Sequence, residues 1–469
     1  IYENLQGAGN MKDQIEETLS CLKSLCDYLE IRVEDFEKTQ ISMRGPKVEM
    51  LQEAFELGGC ARAYHKGGVG FVSFNNLDDM EVCAREAIDQ AKIAGRSRTE
   101  LAEVPVIRDD VDADIIHDCR SVSLSKKLDI LKAYNEQILS YHPNIVTSGV
   151  RYSDGFKILY FGNSEGTLIR QERMDVGCNL SARSARNGMT QMAYTSVGSS
   201  NDFHVLLGLE NRISESCRIA LELLDAPNVK AGKYITVCDP HLSGTFIHEA
   251  FGHSSEAEKV YENKRLLEMM AIGTKFGQPI LNVYDAGNTR GSRGYITYDE
   301  EGVRAGKTDL ITEGKLVGRL HTRETAGKLK ESPTGNGRAV DYRFPPVPRM
   351  RNTCIAPGNS SFEEMIDGIK LGVYAIDAFG GQSEEMFTFT AGRGYMIRNG
   401  KLAEMVKNVT LSGNLFTTLN NIDMIGNDFH QIESGGGCGK GDGRTFQFPL
   451  PVGEGSPHIR IRDIVIGGQ

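Results

Sequence analysis

The stretch GTFIHEAFGHSSEAE, residues 244–258, sets two histidines five positions apart, with a glutamate directly after the first. The familiar zinc-peptidase pattern H-E-x-x-H places its histidines four apart. Residues four apart differ by about 40° around a helix, whereas residues five apart differ by about 140°. His248 and His253 therefore cannot face one ion from a regular helix. The spacing predicts a break or a π-type bulge at Phe251–Gly252, a distortion that is common at functional sites.

In this interpretation Gly252 supplies the conformational freedom that the bulge requires. Ser243 or Thr245 is the expected N-cap of the motif helix. Glu249 is the candidate general base, because it follows His248 directly and can reach a water at the metal without binding the ion. A second interpretation stays open, in which both histidines lie near a buried helix end and hydrogen-bond to backbone.

A catalytic zinc site needs a third protein ligand and an open position for water. Glu256 and Glu258 are nearby candidates. Cys438 is a distant one, in the glycine-rich segment SGGGCGKGDG, residues 434–443. Glycines allow a backbone to approach another element closely, and a thiolate is a good zinc ligand. A lone cysteine is more often a packing residue, so the residue pattern by itself leaves the third ligand open.

Length and composition limit the class of protein. The 469 residues, 40% hydrophobic and 25% charged, indicate a soluble globular chain of two or three domains. A net charge of -10 without a basic block argues against nucleic acid and membranes as partners. Ten scattered cysteines without a C-x-x-C pair indicate reduced thiols and a cytoplasmic location. Residues 1–10 are interpreted as a tag remnant, with Met11 as the expected native start.

Periodicity predicts the elements of the first half. Apolar residues at helical spacing predict helices over 11–31, 79–95, 123–144 and 203–226. Alternating runs predict strands over 61–74, turning at Gly67–Gly68, and over 145–185, with turns at 153–155 and 163–166.

The second half is richer in short strand-like runs, and we place the domain boundary near residue 228. A strand over 233–239 leads into the motif helix. Asn399–Gly400 predicts a hairpin, and Ser361 with Glu364 predicts a helix opened by a capping box. The fold class is α+β: an N-terminal α/β domain over 11–228, then a β-rich, mostly antiparallel C-terminal domain over 229–469 that carries the motif helix.

With the H-E-A-F-G-H motif and the glycine-rich cysteine segment both present, the chain resembles the TldD/PmbA family of metallopeptidases, and the TldD branch in particular. Further matching segments follow in order, among them YDEEGVRAGKTDLITEGKLVG, PTGNGRA, RMRNTCIAPGNSSFEEMIDGIKLGVY and TLSGNLFTTLNNIDMIGNDF. The resemblance covers most of residues 11–469. One departure is Gly443, where the family segment often has glutamine.

The resemblance implies one Zn²⁺ held by His248, His253 and Cys438, with Glu249 as catalytic base. It implies an enzyme that hydrolyses unfolded or extended peptides in peptide maturation or turnover. It also implies a dimer, either of two copies or with a PmbA (TldE)-type subunit. His241 and His430 are the other histidines of interest, and for each a structural role is expected.

The β-rich half suggests that an extended peptide adds to a strand edge near the metal, through backbone hydrogen bonds. Two alternatives stay open at the level of sequence. One is a metal-dependent amidase acting on a small molecule. The other is a non-catalytic subunit of a peptidase complex, whose zinc is closed off by a fourth ligand such as Glu256.

Overall fold

The computed structural model describes residues 7–95, 100–383, 386–441 and 446–467. Within these residues, the first half of the chain contains seven strands and four α-helices. The strands are β1 (Tyr28–Arg44), β2 (Lys47–His65), β3 (Gly68–Phe74), β4 (Arg108–Val111), β5 (Ile145–Asn163), β6 (Leu168–Arg186) and β7 (Met189–Ser199); the helices are α1 (Gly7–Leu22), α2 (Met80–Ala94), α3 (Leu124–Ser140) and α4 (Glu210–Asp225).

These strands form one sheet in the order β3-β2-β1-β5-β6-β4, with β7 paired to β6. All pairs are antiparallel except β4 with β6. One apolar core packs α1 and α2 on the sheet, and a second packs α3 and α4. Each pair of helices therefore covers a different part of the sheet. The remaining surface of the sheet contacts the second half of the chain.

The second half begins with β8 (Gly232–Cys238), which leads into α5 (Pro240–Ile247). Its other strands are β9 (Val283–Ala286), β10 (Lys307–Thr312), β11 (Lys315–Leu316), β12 (Gly337–Arg338), β13 (Val347–Pro348), β14 (Asn352–Ile355), β15 (Leu371–Ser383), β16 (Met386–Arg398), β17 (Lys401–Val406), β18 (Thr410–Asn414), β19 (Ile422–Ile425), β20 (His430–Ile432), β21 (Cys438–Gly441), β22 (Phe446–Leu450), β23 (Gly453–Ser456) and β24 (Ile459–Gly467). Its other helices are α6 (Ala257–Glu262), α7 (Lys264–Met269), α8 (Arg323–Leu329), α9 (Phe362–Ile366) and α10 (Leu415–Asn420).

Two larger sheets organise these strands. The first follows the order β15-β8-β24-β18-β16-β17, and it closes on itself because β16 also pairs with β15. The second follows β11-β10-β9-β14-β23-β20. One continuous apolar core fills the space between them and includes α5. The motif helix is thus fixed between two sheets, with its C-terminal end directed to the site described below.

The structure confirms the mixed, largely antiparallel fold class. It also confirms the turns at 163–166 and Asn399–Gly400 and the capping box of Ser361 with Glu364. The first hairpin turns at Lys66–Gly67, one residue before the predicted Gly67–Gly68. The division near residue 228 stays a prediction; it falls between the end of α4 and the start of β8.

Three predictions of local structure are wrong. The helix predicted over 203–226 begins only at Glu210, because Phe203–Leu206 form a separate 3-10 turn. The first helix ends at Leu22 rather than Ile31, because Leu29 belongs to β1, where pairing with β2 and β5 overrides the helical periodicity. The predicted turn at 153–155 does not form. Gly155 lies inside β5 and pairs with Lys38 on one side and Asp175 on the other, so the strand continues through the turn-like residues.

Candidate metal centre

The motif helix changes its geometry where the histidine spacing predicts. The α-helical part α5 ends at Ile247, and residues His248–Gly252 form a π-helical turn. The backbone N–H of His253 donates to the carbonyl of His248, which is the wider i→i+5 connection. This turn rotates the second histidine back toward the first, so the predicted distortion is confirmed.

Two details of that prediction are corrected. Asp239, not Ser243 or Thr245, caps α5: its carboxylate accepts the N–H of Leu242 at 2.9 Å. Pro240 at the first helical position requires no N–H partner, which favours this start. Residue Gly252 has φ -53°, an ordinary helical value. Gly252 is therefore needed for the space that its missing side chain leaves, and not for an unusual backbone angle.

The space that Gly252 leaves is taken by a methionine. A Cβ at position 252 would lie 2.0 Å from Sδ of Met350. Both residues are buried. The glycine therefore allows close packing under the π-turn instead of an unusual backbone angle.

Three potential ligands meet at this turn. One ligand atom each from His248, His253 and Cys438 lies within 4.8 Å of the other two, and Sγ of Cys438 is 3.4 Å from Nε2 of His253. Tetrahedral nitrogen and sulfur ligands at zinc distances are separated by roughly 3.3–3.8 Å. The imidazole planes are nearly perpendicular, at 88°. The arrangement fits a small divalent cation.

The charges at the site also fit a cation. Burial opposes ionisation of Cys438, yet His248 and His253 outweigh it and hold the thiol pKa well below its usual value. Burial favours neutral imidazoles, but the thiolate raises the pKa of His248 to about 9, and Glu256 and the thiolate raise the pKa of His253 to about 10. The site therefore stabilises positive charge beside the sulfur.

One buried atom supports the same interpretation. Nδ1 of His248 is buried and has no hydrogen-bond partner among the described residues. Its neighbour is Oε1 of Glu454, at 3.9 Å, whose other oxygen accepts a hydrogen bond from Thr245. An unsatisfied buried group costs about 1–3 kcal/mol. Hydrogen bonding of Nδ1 therefore does not explain why the imidazole of His248 is buried at this position, whereas a role in the candidate cation site does.

Glu249 lies beside the three candidate ligands and is not one of them. Its carboxylate is 3.9 Å from Nε2 of His253, and one third of the side chain is exposed. Burial raises the pKa of Glu249, while the two histidines oppose that rise. A carboxylate with a raised pKa at the open side of a metal centre can act as a general base.

Glu256 supports His253 from behind. Its carboxylate accepts the Nδ1–H of His253 at 3.0 Å and lies 3.1 Å from Nζ of Lys440. Lys440 also pairs with Glu258. Because Lys440 follows Cys438 by two residues, Glu256 links the two ligand-bearing segments. The two glutamates that the sequence offered as ligands therefore belong to this supporting ion-pair network.

The segment before Cys438 is held by Arg293. This buried guanidinium donates to the carbonyls of Ser434 and Gly436 and pairs with Asp175 of β6. A Cβ on Gly435 would lie 2.4 Å from the backbone nitrogen of Cys178. The glycines therefore permit the close approach to another element that the sequence suggested.

The secondary histidines lie elsewhere. His241 and His430 line a cleft of about 740 Å³ between the two halves of the chain, and neither is among the three converging ligands. Nδ1 of His241 lies 3.6 Å from Asp377. The ring of His430 bonds the carbonyl of Asp428.

A second cluster of metal-type side chains, His117, Asp202 and His204, lies at the surface. The two imidazoles are stacked, with centroids 3.4 Å apart and planes at 18°. Stacked rings direct their lone pairs side by side instead of toward one point. The Asp202 carboxylate already accepts hydrogen bonds from His117 and the N–H of His204. This cluster organises a surface turn.

Sequence reasoning missed Arg293 and Glu454 and gave Glu256 a different role. Glu454 and Arg293 both lie among glycines, in GEG and in RGSRG, where backbone can pack closely around a side chain. The glycines that flank Glu454 and Arg293 are therefore only a weak signal in the sequence. The hydrogen bond between Glu256 and His253 depends on the π-turn, so the sequence alone does not reveal it.

Comparison with known proteins agrees with this architecture. Family profiles for the PmbA/TldA metallopeptidase match as domain 1 over residues 29–91, the central domain over 117–225 and the C-terminal domain over 231–468. A Synechocystis metalloprotease is 43% identical over 98% of both chains. A zinc metalloprotease TldD homolog of Saccharolobus solfataricus is 31% identical, over 73% of this chain and 76% of its own.

Solved structures share the fold. A Bacteroides thetaiotaomicron protein described as a modulator of DNA gyrase aligns with a TM-score of 0.77 at 19% identity, over 99% of this chain and 100% of its own. TldE from Thermococcus kodakarensis aligns with a TM-score of 0.74 at 17% identity, over 97% of this chain and 100% of its own.

The family profiles and the curated relatives thus define a metallopeptidase, and its H-E-x-x-x-H segment forms a π-helical turn. The chain belongs to the PmbA/TldD metallopeptidase family. Within the described ranges, no helix has both the length and the apolar composition for a membrane crossing.

Proposed function

We propose that this metallopeptidase holds one zinc ion with His248, His253 and Cys438 and hydrolyses extended peptides with Glu249 as general base. The observation that carries the proposal is the convergence of the three ligand atoms beside a partly exposed glutamate. The name of the Saccharolobus relative, a zinc metalloprotease, supports the choice of metal. Zinc would supply a Lewis acid that polarises the peptide carbonyl and lowers the pKa of water.

The side chains have separate duties in this mechanism. Glu249 accepts a proton from the attacking water and passes it to the leaving amine. Glu256 fixes the ring of His253 through Nδ1, which leaves Nε2 directed to the site. Because Glu256 is engaged in this way, it does not close the site as a fourth ligand, and the position beside Glu249 stays open for substrate.

The cleft of about 740 Å³ suits an extended peptide, and Pro240 and His241 at the start of the motif helix form part of its lining. β7 and β20 both contribute to its wall, and among the described strands each is paired on one side only, with β6 and β23 respectively. Ile432 at the end of β20 packs near Gly244 of the motif helix. A peptide paired with such an edge is bound through its backbone, which gives broad sequence tolerance.

We also propose a dimer, formed by two copies or with a TldE-type subunit. The likeness to TldE shows the shared fold and makes such a partner geometrically reasonable. The ten unpaired cysteines suit a reducing, cytoplasmic location.

The test measures zinc content and peptide hydrolysis together. Glu249→Gln should retain zinc and lose about 1,000-fold in hydrolysis, because only the proton transfer is removed. Cys438→Ser should lose zinc and activity together. Cys21→Ser, which changes an exposed cysteine, is the matched control.

Two results would contradict the proposal. If Cys438→Ser binds zinc as tightly as the wild type, Cys438 is not a ligand. If the zinc-loaded wild type cleaves no peptide of any length, alone or with a TldE-type partner, extended peptides are not its substrates.

A further inference from the structure

A cavity of about 380 Å³ is lined by both halves of the chain. Three neighbouring strands of the first half, β2, β1 and β5, form its floor, and their side chains stand in registered rows. The middle row is Ala54, Lys38 and Gly155, and the rows beside it are Gln52, Gln40 and Ser153, and Glu56, Phe36 and Lys157. Lys38 thus has small neighbours on both sides, which leaves space around its side chain for a ligand.

Lys38 is an unpaired cation in this floor. Among the residues that the structure describes, its half-buried ammonium group forms no hydrogen bond and no ion pair. Burial lowers the pKa of Lys38, while Asp175 and Glu56 oppose that fall. Both carboxylates are paired with other cations, Asp175 with Arg293 and Glu56 with Arg343. A charge removed from water without a partner is costly, so its position in a cavity points to a ligand of opposite charge.

The other charges of the cavity leave a positive excess. Each carboxylate of the lining already pairs with an arginine or a lysine; these are Glu56, Asp154, Asp175, Glu300 and Asp341. From the second half of the chain, the buried Arg338 lines the cavity and pairs with no described carboxylate. Its two terminal nitrogens donate to the carbonyls of Met350 and Pro451, and its Nε has no partner within the described ranges. Lys38 and Arg338 therefore carry positive charge that no described side chain neutralises.

The rest of the lining combines apolar and amide groups. The apolar side chains come from both halves and include Phe36, Phe156, Met174, Ile296, Val340 and Phe448. The side-chain amides of Gln40 and Gln52 form no hydrogen bond in the described part of the chain, so they can bond a peptide backbone. A fatty acid would use the cation and the apolar wall but neither amide. The lining therefore favours the end of a peptide over a simple amphipathic acid.

We propose that this cavity binds the carboxyl terminus of a peptide whose last residue is apolar, with Lys38 as the group that pairs with the terminal carboxylate. The apolar wall takes the last side chain, and Gln40 and Gln52 bond the backbone before it. An ammonium–carboxylate pair in such a place is a strong, charge-assisted contact. The volume of about 380 Å³ lies within the range of small-ligand pockets.

The cavity lies beside the loop that carries Cys438. Gly435 and Gly436 line the cavity, whereas the preceding Ser434 lines the cleft proposed for the substrate. Arg293, which holds that loop through its carbonyls, lines the cavity as well. A peptide end in the cavity and a peptide in the cleft therefore contact the same loop. None of the three candidate metal ligands lines the cavity, so binding here does not require zinc.

Isothermal titration calorimetry with metal-free protein tests this site without hydrolysis and independently of the zinc mechanism. The probe is N-acetyl-Leu-Phe with a free carboxylate, compared with its C-terminal amide and with octanoate. The free acid should bind with a dissociation constant on the order of 100 μM. The amide should bind at least about tenfold more weakly, because the contact to a charged group is lost. Octanoate should bind about fivefold more weakly than the free acid, because it has no backbone for the two glutamine amides.

Variants of Lys38 separate a ligand contact from a structural role. Lys38→Met should weaken binding of N-acetyl-Leu-Phe about 20-fold, because the cation is removed. It should not lower the free energy of unfolding, since Lys38 has no partner to lose. Lys38→Arg keeps the charge and should bind within about threefold of the wild type. Lys126→Met, at an exposed lysine of α3 outside the cavity, is the matched control and should change neither measurement.

Each other result overturns a stated part. Absence of binding up to about 10 mM N-acetyl-Leu-Phe rejects a peptide site. Equal affinities of acid and amide reject recognition of the carboxylate, and octanoate that binds as tightly as the free acid rejects a peptide as the ligand. Unchanged binding in Lys38→Met rejects Lys38 as the anchor. A marked loss of stability in Lys38→Met shows that Lys38 is a structural residue and removes the argument from its missing partner.

Discussion

The two segments that carry the candidate ligands are held in opposite ways. The motif helix is shaped by local hydrogen bonds, from the cap at Asp239 to the π-turn that joins His253 to His248. The glycine-rich loop takes its shape from distant residues. Arg293 holds its carbonyls, and the backbone of Cys178 lies directly against Gly435.

This difference has a mechanical consequence. Substitutions in the helix should act on the backbone and the stability of the C-terminal half. Substitutions in the loop should act on metal binding, because the loop can shift while both halves stay folded. Substitutions at single positions can separate these two kinds of effect, from the largest to the smallest.

Gly435→Ala should weaken zinc binding about 100-fold, because the new Cβ meets the backbone of β6 and the loop must move away with Cys438. Zinc affinity is measured by competition with a chelating indicator. Gly436→Ala is the matched control, since its Cβ would have Ser434 Oγ as nearest neighbour at 3.5 Å, an ordinary contact. Equal affinities in the two variants would contradict the close-approach argument.

Gly252→Ala should lower the free energy of unfolding by about 2 kcal/mol, because its Cβ overlaps Met350 in a filled core. Urea unfolding of metal-free protein gives the value. Gly306→Ala, where an added Cβ meets open space, should change the unfolding free energy little. If Gly252→Ala is as stable as this control, the π-turn tolerates the methyl group and the packing argument fails.

Glu256→Gln should weaken zinc binding about tenfold, because His253 loses the carboxylate that orients its ring. Glu258→Gln is the control, since Glu258 shares Lys440 and makes no hydrogen bond to His253. Isothermal titration calorimetry with zinc distinguishes the two variants. A larger loss in Glu258→Gln would show that Lys440, and not the contact to His253, supports the site.

Glu433, at the base of the loop, supplies a pH test. Burial raises its pKa from 4.5 to about 7. A raised folded-state pKa means that the contribution to stability is complete below about pH 4.5 and is lost as pH rises through 7. Between these limits wild-type stability should fall relative to Glu433→Gln by up to about 3 kcal/mol. Paired urea unfolding curves from pH 4.5 to 8 measure this difference, and parallel pH profiles would refute it.

Much of the site follows from local sequence. The spacing of His248 and His253 requires a wider helical turn, and the structure contains one. The hairpin at Asn399–Gly400 and the capping box at Ser361 are likewise local features. Helical periodicity misled at Leu29, and turn-type residues misled at Gly155, because strand pairing overrides both local signals.

The sequence by itself determined the components of the candidate site: two imidazoles, an adjacent carboxylate and a distorted helix to bring them together. Tertiary structure decided how the remaining parts meet. Cys438 approaches the histidines because Arg293 and the backbone of β6 position its loop, and Glu256 orients His253 only after the π-turn has formed. Local hydrogen bonds are encoded within one turn of chain, whereas contacts between residues far apart in sequence depend on the packing of the whole fold.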